Sequence, residues 1–170
     1  MTQKELAQEI YKIAHLTGNF LLRSGQTSTE YFDKYRFESQ PHLLKAIGHH
    51  MKELIPSDTE VLAALEMGGI PIAVALSFET GLPVVFVRKE AKEYGTCKFA
   101  EGLDVKGKNV CVIEDVITTG GQVVLSTQDL REIGAEVNHV LCVINRGEIP
   151  NQKLAAMGLE LHSLFTRNDF

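Results

Sequence analysis

The sequence predicts an α/β fold, a mostly parallel twisted sheet flanked by helices. Three observations carry this. The strand-length runs at residues 61–65, 83–87 and 110–113 are apolar throughout and the run at 137–144 largely so, as strands covered on both faces are. Stretches of helical period separate several of these runs, so the chain crosses over between strands and pairs them in parallel. The 170-residue chain, 44% hydrophobic and 23% charged, has the composition of one ordinary globular domain and is long enough to bury a real core.

Periodicity places the elements in order. A helix is expected over about residues 3–16, and a stretch bearing Gly, Ser and Thr with short strands to about residue 37. A second helix runs from roughly Pro41 to Leu54. Residues 61–65 form a strand, 69–78 a helix, 83–87 a strand, 110–113 a strand, 119–133 a helix and 137–144 another strand. A short helical turn at 154–157 and a strand at 159–165 close the chain. Residues 88–108 are polar, contain Gly and show no period, which predicts a long loop of the kind that is usually a functional lid or disordered. The expected organisation is one domain with a core of about 39–149, a small hood from about 1–38 plus 150–170, and a mobile loop at about 88–102.

The formal charge of −5 and the lack of a long Lys/Arg run argue against a general nucleic-acid binder. No stretch of eighteen apolar residues predicts a membrane span, and the N-terminus lacks the apolar run of a signal peptide, so the expected location is cytoplasmic. Cys97, Cys111 and Cys142 are far apart and form no C-x-x-C pair, so they indicate neither a disulfide framework nor a zinc site. Cys111 and Cys142 read as core residues, and Cys97 as part of a polar loop. The six histidines are scattered or, at His49 and His50, adjacent without metal-ligand spacing, and read as surface or packing residues.

Residues 110–122, Val-Cys-Val-Ile-Glu-Asp-Val-Ile-Thr-Thr-Gly-Gly-Gln, carry the chemistry. Glu114 and Asp115 fall at the carboxyl end of a buried strand, where open α/β sheets place their ligands. Two carboxylates there can accept hydrogen bonds from vicinal hydroxyls. Thr118, Thr119, Gly120, Gly121 and Gln122 then lead into a helix whose first N–H groups have no partners, which suits a phosphate. A diol beside a phosphate describes a ribose 5-phosphate. A solvated acid pair followed by an N-capping Thr would explain either half but would leave their junction a coincidence.

In this order the segment resembles the signature of the type I phosphoribosyltransferases, which use 5-phosphoribosyl-1-pyrophosphate (PRPP). Further segments are similar to the orotate phosphoribosyltransferases within that family. Val-Arg-Lys-Glu-Ala-Lys-Glu-Tyr-Gly at 87–95 resembles the family's loop motif, with Tyr94 at the place of its His. Ala-Leu-Glu-Met-Gly-Gly at 64–69 resembles the pyrophosphate loop, with Gly68 where many members carry Lys. The segment from Phe20 to Asp33 resembles the hood segment, with Arg23 at the place of a base-contacting Lys. Asn-Arg-Gly-Glu at 145–148 resembles an Asp-Arg-x-Glu strand end.

The resemblance implies the type I phosphoribosyltransferase fold and transfer of the phosphoribosyl group of PRPP to orotate, giving orotidine 5′-monophosphate and pyrophosphate. It implies Arg88, Lys89, Lys92 and Asp115 as catalytic residues. Glu114 and Asp115 would hold the ribose hydroxyls, Thr118 to Gln122 the 5′-phosphate, and Gly68 and Gly69, which permit unusual dihedrals and close ligand approach, the diphosphate. Arg23, Tyr31, Phe32 and Arg146 would contact the base. Mg²⁺ would be held mainly by PRPP oxygens rather than by protein ligands, in a homodimer whose loop residues are shared across subunits. Two other readings stay open: the same reaction on another base such as uracil or a purine, and a regulator that binds PRPP without turnover.

Overall fold

The computed structural model describes residues 1–22, 25–90 and 99–170. Helix α1 (Gln3–Ala14) starts at a capping box, in which the Thr2 hydroxyl accepts from the Glu5 N–H and the Glu5 carboxylate accepts from the Thr2 N–H. It leads into a hairpin of β1 (His15–Leu21) and β2 (Thr27–Phe32), paired antiparallel and separate from the main sheet. Helices α2 (Lys34–Glu38) and α3 (Pro41–Met51) follow. The remaining elements are β3 (Val61–Leu65), α4 (Gly69–Thr80), β4 (Val84–Val87), β5 (Ala100–Glu101), β6 (Asn109–Ile117), α5 (Gly121–Glu132), β7 (Glu136–Asn145), α6 (Gln152–Ala156) and β8 (Glu160–Thr166).

These six strands form one sheet in the order β5-β4-β3-β6-β7-β8. Every pairing is parallel except that of β5, which returns antiparallel along β4. Side chains alternate across the sheet as the two-residue strand period requires. Leu62, Ala64, Cys111 and Ile113 join Leu6, Ile10, Leu43, Ile47, Ile72 and Leu76 of α1, α3 and α4 on one face. Val61, Ala63, Leu65, Val110 and Val112 join Val123 and Leu130 of α5 and Leu154 of α6 on the other. Each buried Leu, Ile or Val contributes about 1.5–3 kcal/mol by leaving water, so both helix layers are held by the apolar runs that predicted the strands. No helix among the described residues is long and apolar enough to cross a membrane.

Four differences from expectation bear on the site and its surroundings. Strand β6 continues past the acid pair to Ile117, because β7 runs alongside it and pairs Val116 with Ile144 and Ile117 with Asn145. The expected 88–108 loop contains a short edge strand, β5, which pairs Phe86 with Glu101. Helix α5 begins at Gly121 rather than at Thr119, since Gly120 takes a left-handed φ of 74°. The tail does not all belong to the hood. Strand β8 lies in the main sheet beside β7, and only Arg167 to Phe170 return to the hood, where Phe170 meets Phe32 and Phe165.

Candidate functional site

The chain leaves β3 for β4 on one side and returns to β6 on the other, so the strand order reverses between β3 and β6. A crevice is expected there at the carboxyl ends. The last β3–β6 pair is Ala64 with Ile113. Beyond it, Glu66 to Gly69 face Glu114 and Asp115. The two glycines are required by this approach and not by unusual dihedrals, which corrects the reading from sequence. Gly68 has an ordinary helical conformation (φ −68°, ψ −30°), but a Cβ there would collide with the Asp115 carboxylate, and one on Gly69 would collide with the Ile113 carbonyl oxygen.

Asp115, past the last β3–β6 pair, does not reach solvent. It is fully buried, with Oδ2 at 2.5 Å from Lys34 Nζ and Oδ1 accepting from the Val116 N–H at 2.5 Å. The hood segment brings Lys34 over the strand end, together with Glu38, which is 6% exposed. Burial works against the Asp115 charge, but hydrogen bonds from Glu114, Glu38 and Lys34 hold its carboxyl below the usual range. Its neighbours move the opposite way. Burial and the adjacent Asp115 push Glu38 and Glu114 up to about 9, so both hold protons at neutral pH. The Lys34 ammonium is raised, the pull of Asp115 and Glu114 outweighing its own burial. The ligand-free cluster therefore carries one carboxylate and one ammonium. Sequence reading missed Lys34 and Glu38, since nothing in their local pattern shows that they reach the strand end. Glu114, partly exposed, accepts from the Asp115 N–H and is the member of the pair that faces outward.

The Thr/Gly turn leaves β6 with Thr118 and Thr119 exposed. Gly120 forms the N-cap of α5 with no side-chain cap, so the first-turn N–H groups of Gly121, Gln122 and Val123 have no intrahelical acceptors. From behind, Asn151 and Leu154 crowd the space where a Gly120 Cβ would stand. Asn151 is itself fixed as the N-cap of α6, its side chain accepting from the Leu154 N–H. The turn thus has a rigid back and an open front.

Two grooves meet at this turn. One, of about 540 Å³, is lined by Thr118, Thr119, Arg146, Gln152, Lys153 and Arg167 among others. The second, of about 630 Å³, runs under the hood past Tyr31, Phe32, Thr118, Arg146, Arg167 and Phe170. They share Thr118, Arg146 and Arg167, so an anion-receptive end and an aromatic end form one continuous cleft. The Arg146 guanidinium lies 5.3 Å from the Phe32 ring centre. Its backbone N–H donates to Ile117, and the Asn145 side chain accepts from the Gly147 N–H, which fixes the turn that aims it. Tyr31 and Phe32, successive on a strand, have different partners: Tyr31 stacks with Phe20, and Phe32 packs with Phe37 and Phe170. Lys153 and Arg167 are further cations of the cleft that the sequence did not single out.

Among the loop cations, the Arg88 guanidinium lies 3.6 Å from Glu101 across the β4–β5 hairpin. The Lys89 N–H donates to Glu66 at 2.6 Å, tying this loop to the one that carries Gly68 and Gly69. Lys92, Tyr94 and Cys97, like Arg23 of the hood, lie outside the described residues.

Fold and cleft define a doubly wound α/β protein with an anion-receptive crevice at its switch point. The chain belongs to the phosphoribosyltransferase family, whose phosphoribosyl transferase domain model matches residues 35–162. It is 52% identical over 162 residues to the orotate phosphoribosyltransferase of Nocardioides sp., covering 95% of this chain and 90% of that one. In structure it is similar to orotate phosphoribosyltransferase of Mycobacterium tuberculosis in complex with Fe(III) dicitrate, with a TM-score of 0.88 at 30% identity, covering 98% of this chain and 97% of that one. The same enzyme in complex with PRPP matches with a TM-score of 0.82 at 28% identity, over 98% and 97% of the two chains.

Proposed function

We propose that the protein transfers the phosphoribosyl group of PRPP to orotate, releasing pyrophosphate and forming orotidine 5′-monophosphate. The observation that carries this reading is Arg146 over the Phe32 ring in a cleft that continues to the Thr118–Gln122 turn. A guanidinium fork beside an aromatic surface suits a planar base bearing a carboxylate. N–H groups without intrahelical acceptors at the start of α5, with Lys153 and Arg167 nearby, suit the 5′-phosphate. Tyr31 extends the base end, and the family resemblance gives Arg23 a base contact as well.

In the reaction a bond from the orotate ring nitrogen to the anomeric carbon forms as the bond from that carbon to the pyrophosphate oxygen breaks, and the proton of that nitrogen is released with the pyrophosphate. Positive charge develops on the ribose. Glu114, the outward acid, holds the ribose hydroxyls, and Asp115 joins it once Lys34 is displaced. Gly68 and Gly69 let backbone amides approach the diphosphate, and Arg88, Lys89 and Lys92 stabilise its developing charge. Mg²⁺ would be carried mainly by substrate oxygens, with Glu114 and Asp115 as the nearby acids available to it. The ion would neutralise the leaving group. The reading includes a homodimer in which loop residues such as Lys92 serve the neighbouring site; Phe78, 85% exposed on α4, offers apolar surface for such contact.

The test is steady-state turnover with PRPP, Mg²⁺ and a panel of orotate, uracil and purines. Orotate is the expected preferred base. Uracil leaves the Arg146 guanidinium unpaired, at a cost of about 1–3 kcal/mol. Arg146→Ala should erase most of the preference while PRPP binding, measured by calorimetry, stays near wild type. Binding of PRPP without turnover of orotate, or preference for another base, would refute the reading.

A further inference from the structure

Three residues that look unrelated in sequence meet on one face of the β7–β8 edge. His139 stands opposite Glu160 in the parallel register, and His162 stands opposite Leu141, one pleat further on. Residues two apart on a strand share a face, so the three side chains converge. His139 Nδ1 lies 3.7 Å and His162 Nε2 3.6 Å from the two oxygens of Glu160, and the ligand atoms all lie within 4.8 Å of one another. Both of these nitrogens are shielded from solvent and have no hydrogen-bond partner among the described residues. This overturns the expectation that these histidines are merely scattered.

Imidazole nitrogens shielded from water and too far from the carboxylate for a hydrogen bond lose their hydration without replacement. Hydrogen bonds do not explain the geometry, because 3.6–3.7 Å is too long for one. A metal ion does. With metal–nitrogen and metal–oxygen distances of about 2.0–2.2 Å, two imidazoles and one carboxylate oxygen fill three positions of a tetrahedral site and leave the fourth to water. Glu160 is 66% exposed on its side chain and free to close the remaining gap by rotation. We propose that His139, Glu160 and His162 bind a divalent transition ion of the zinc class. The donor set excludes Mg²⁺, which prefers all-oxygen surroundings. The site sits near the amino end of the sheet, roughly 20 Å along β7 from Arg146 at about 3.3 Å per residue, so it is separate from the cleft. Bound metal would cross-link β8, the outermost strand of the sheet, to β7.

The experiment titrates the chelator-treated full-length protein with Zn²⁺ alone, by calorimetry, in buffer containing excess Mg²⁺, and repeats it with Co²⁺ while following the visible spectrum. One equivalent should bind without competition from Mg²⁺, Co²⁺ should give the intense bands of a four-coordinate site, and the thermal midpoint should rise. Glu160→Gln, at an exposed position that cannot disturb folding, should weaken binding by roughly tenfold or more. The double variant His139→Ala, His162→Ala should abolish the stoichiometric event and leave orotate turnover unchanged. Absence of saturable Zn²⁺ binding by the wild-type protein, or equal binding by wild type, Glu160→Gln and the double variant, would overturn the proposal.

Discussion

Both Asp115 oxygens are engaged inside the ligand-free protein, one by the Val116 N–H and one by Lys34, so a ligand that uses Asp115 must first displace the lysine. Lys34, half-buried, is placed to act as the cation that keeps this acid ionised among two protonated neighbours. Asp115→Asn removes the charged acceptor while keeping shape. A hydrogen bond to an ionised group is worth roughly 1.5–3 kcal/mol, so turnover should fall by about one to two orders of magnitude in a variant whose circular dichroism matches wild type. Undiminished turnover would remove Asp115 from the chemistry. Lys34→Met should raise the Asp115 pKa, because the favourable charge is lost and burial then dominates. If ionised Asp115 is needed, the acidic limb of the kcat/KM profile shifts to higher pH in this variant; an unmoved limb means that Lys34 does not tune Asp115.

Between elements, the decisive contact is that of the β3–α4 turn with the end of β6. Gly69 has no room for a side chain, because the obstacle is the Ile113 backbone carbonyl, which cannot rotate away. Gly69→Ala must push α4 and β6 apart, and overpacking of this kind costs about 1–3 kcal/mol. Urea denaturation should show a lower midpoint with an unchanged slope. A midpoint equal to wild type would mean that the turn tolerates separation and that the close approach is not needed for the fold.

For the molecule as a whole, the acid cluster couples stability to pH. Glu38 and Glu114 bind protons in the folded state up to about pH 9 but release them near pH 4.5 when unfolded. Between these values the folded state holds more protons, so stability falls as pH rises. Asp115, depressed on folding, contributes stability above its unfolded value and loses it only in acid. Glu38→Gln keeps the hydrogen-bonding shape without the titration. Its urea midpoint relative to wild type should therefore rise steadily from pH 5 to pH 9, whereas parallel curves would show that Glu38 does not titrate this way.

What the sequence by itself determined is local and periodic. The apolar runs at 61–65 and 110–113, the helical stretches between strands and the order acid pair, Thr/Gly turn, helix all depend on neighbours in the chain, and each reappears as an element or a turn of the structure. Arg146 was legible only through the resemblance of residues 145–148 to the family's strand-end motif. Tertiary structure alone decided the rest. Lys34 and Glu38 reach Asp115 because the hood folds back over β6, and Arg167 reaches the cleft because β8 runs parallel to β7 and delivers its carboxyl end there. His139 and His162 became a cluster through strand register. Even the reason for Gly68 changed, from conformational freedom to the volume of a carboxylate 47 positions away. Periodicity reports which face of an element is buried, but a contact between distant residues follows from how whole elements pack, and that is set by the shape of the entire core.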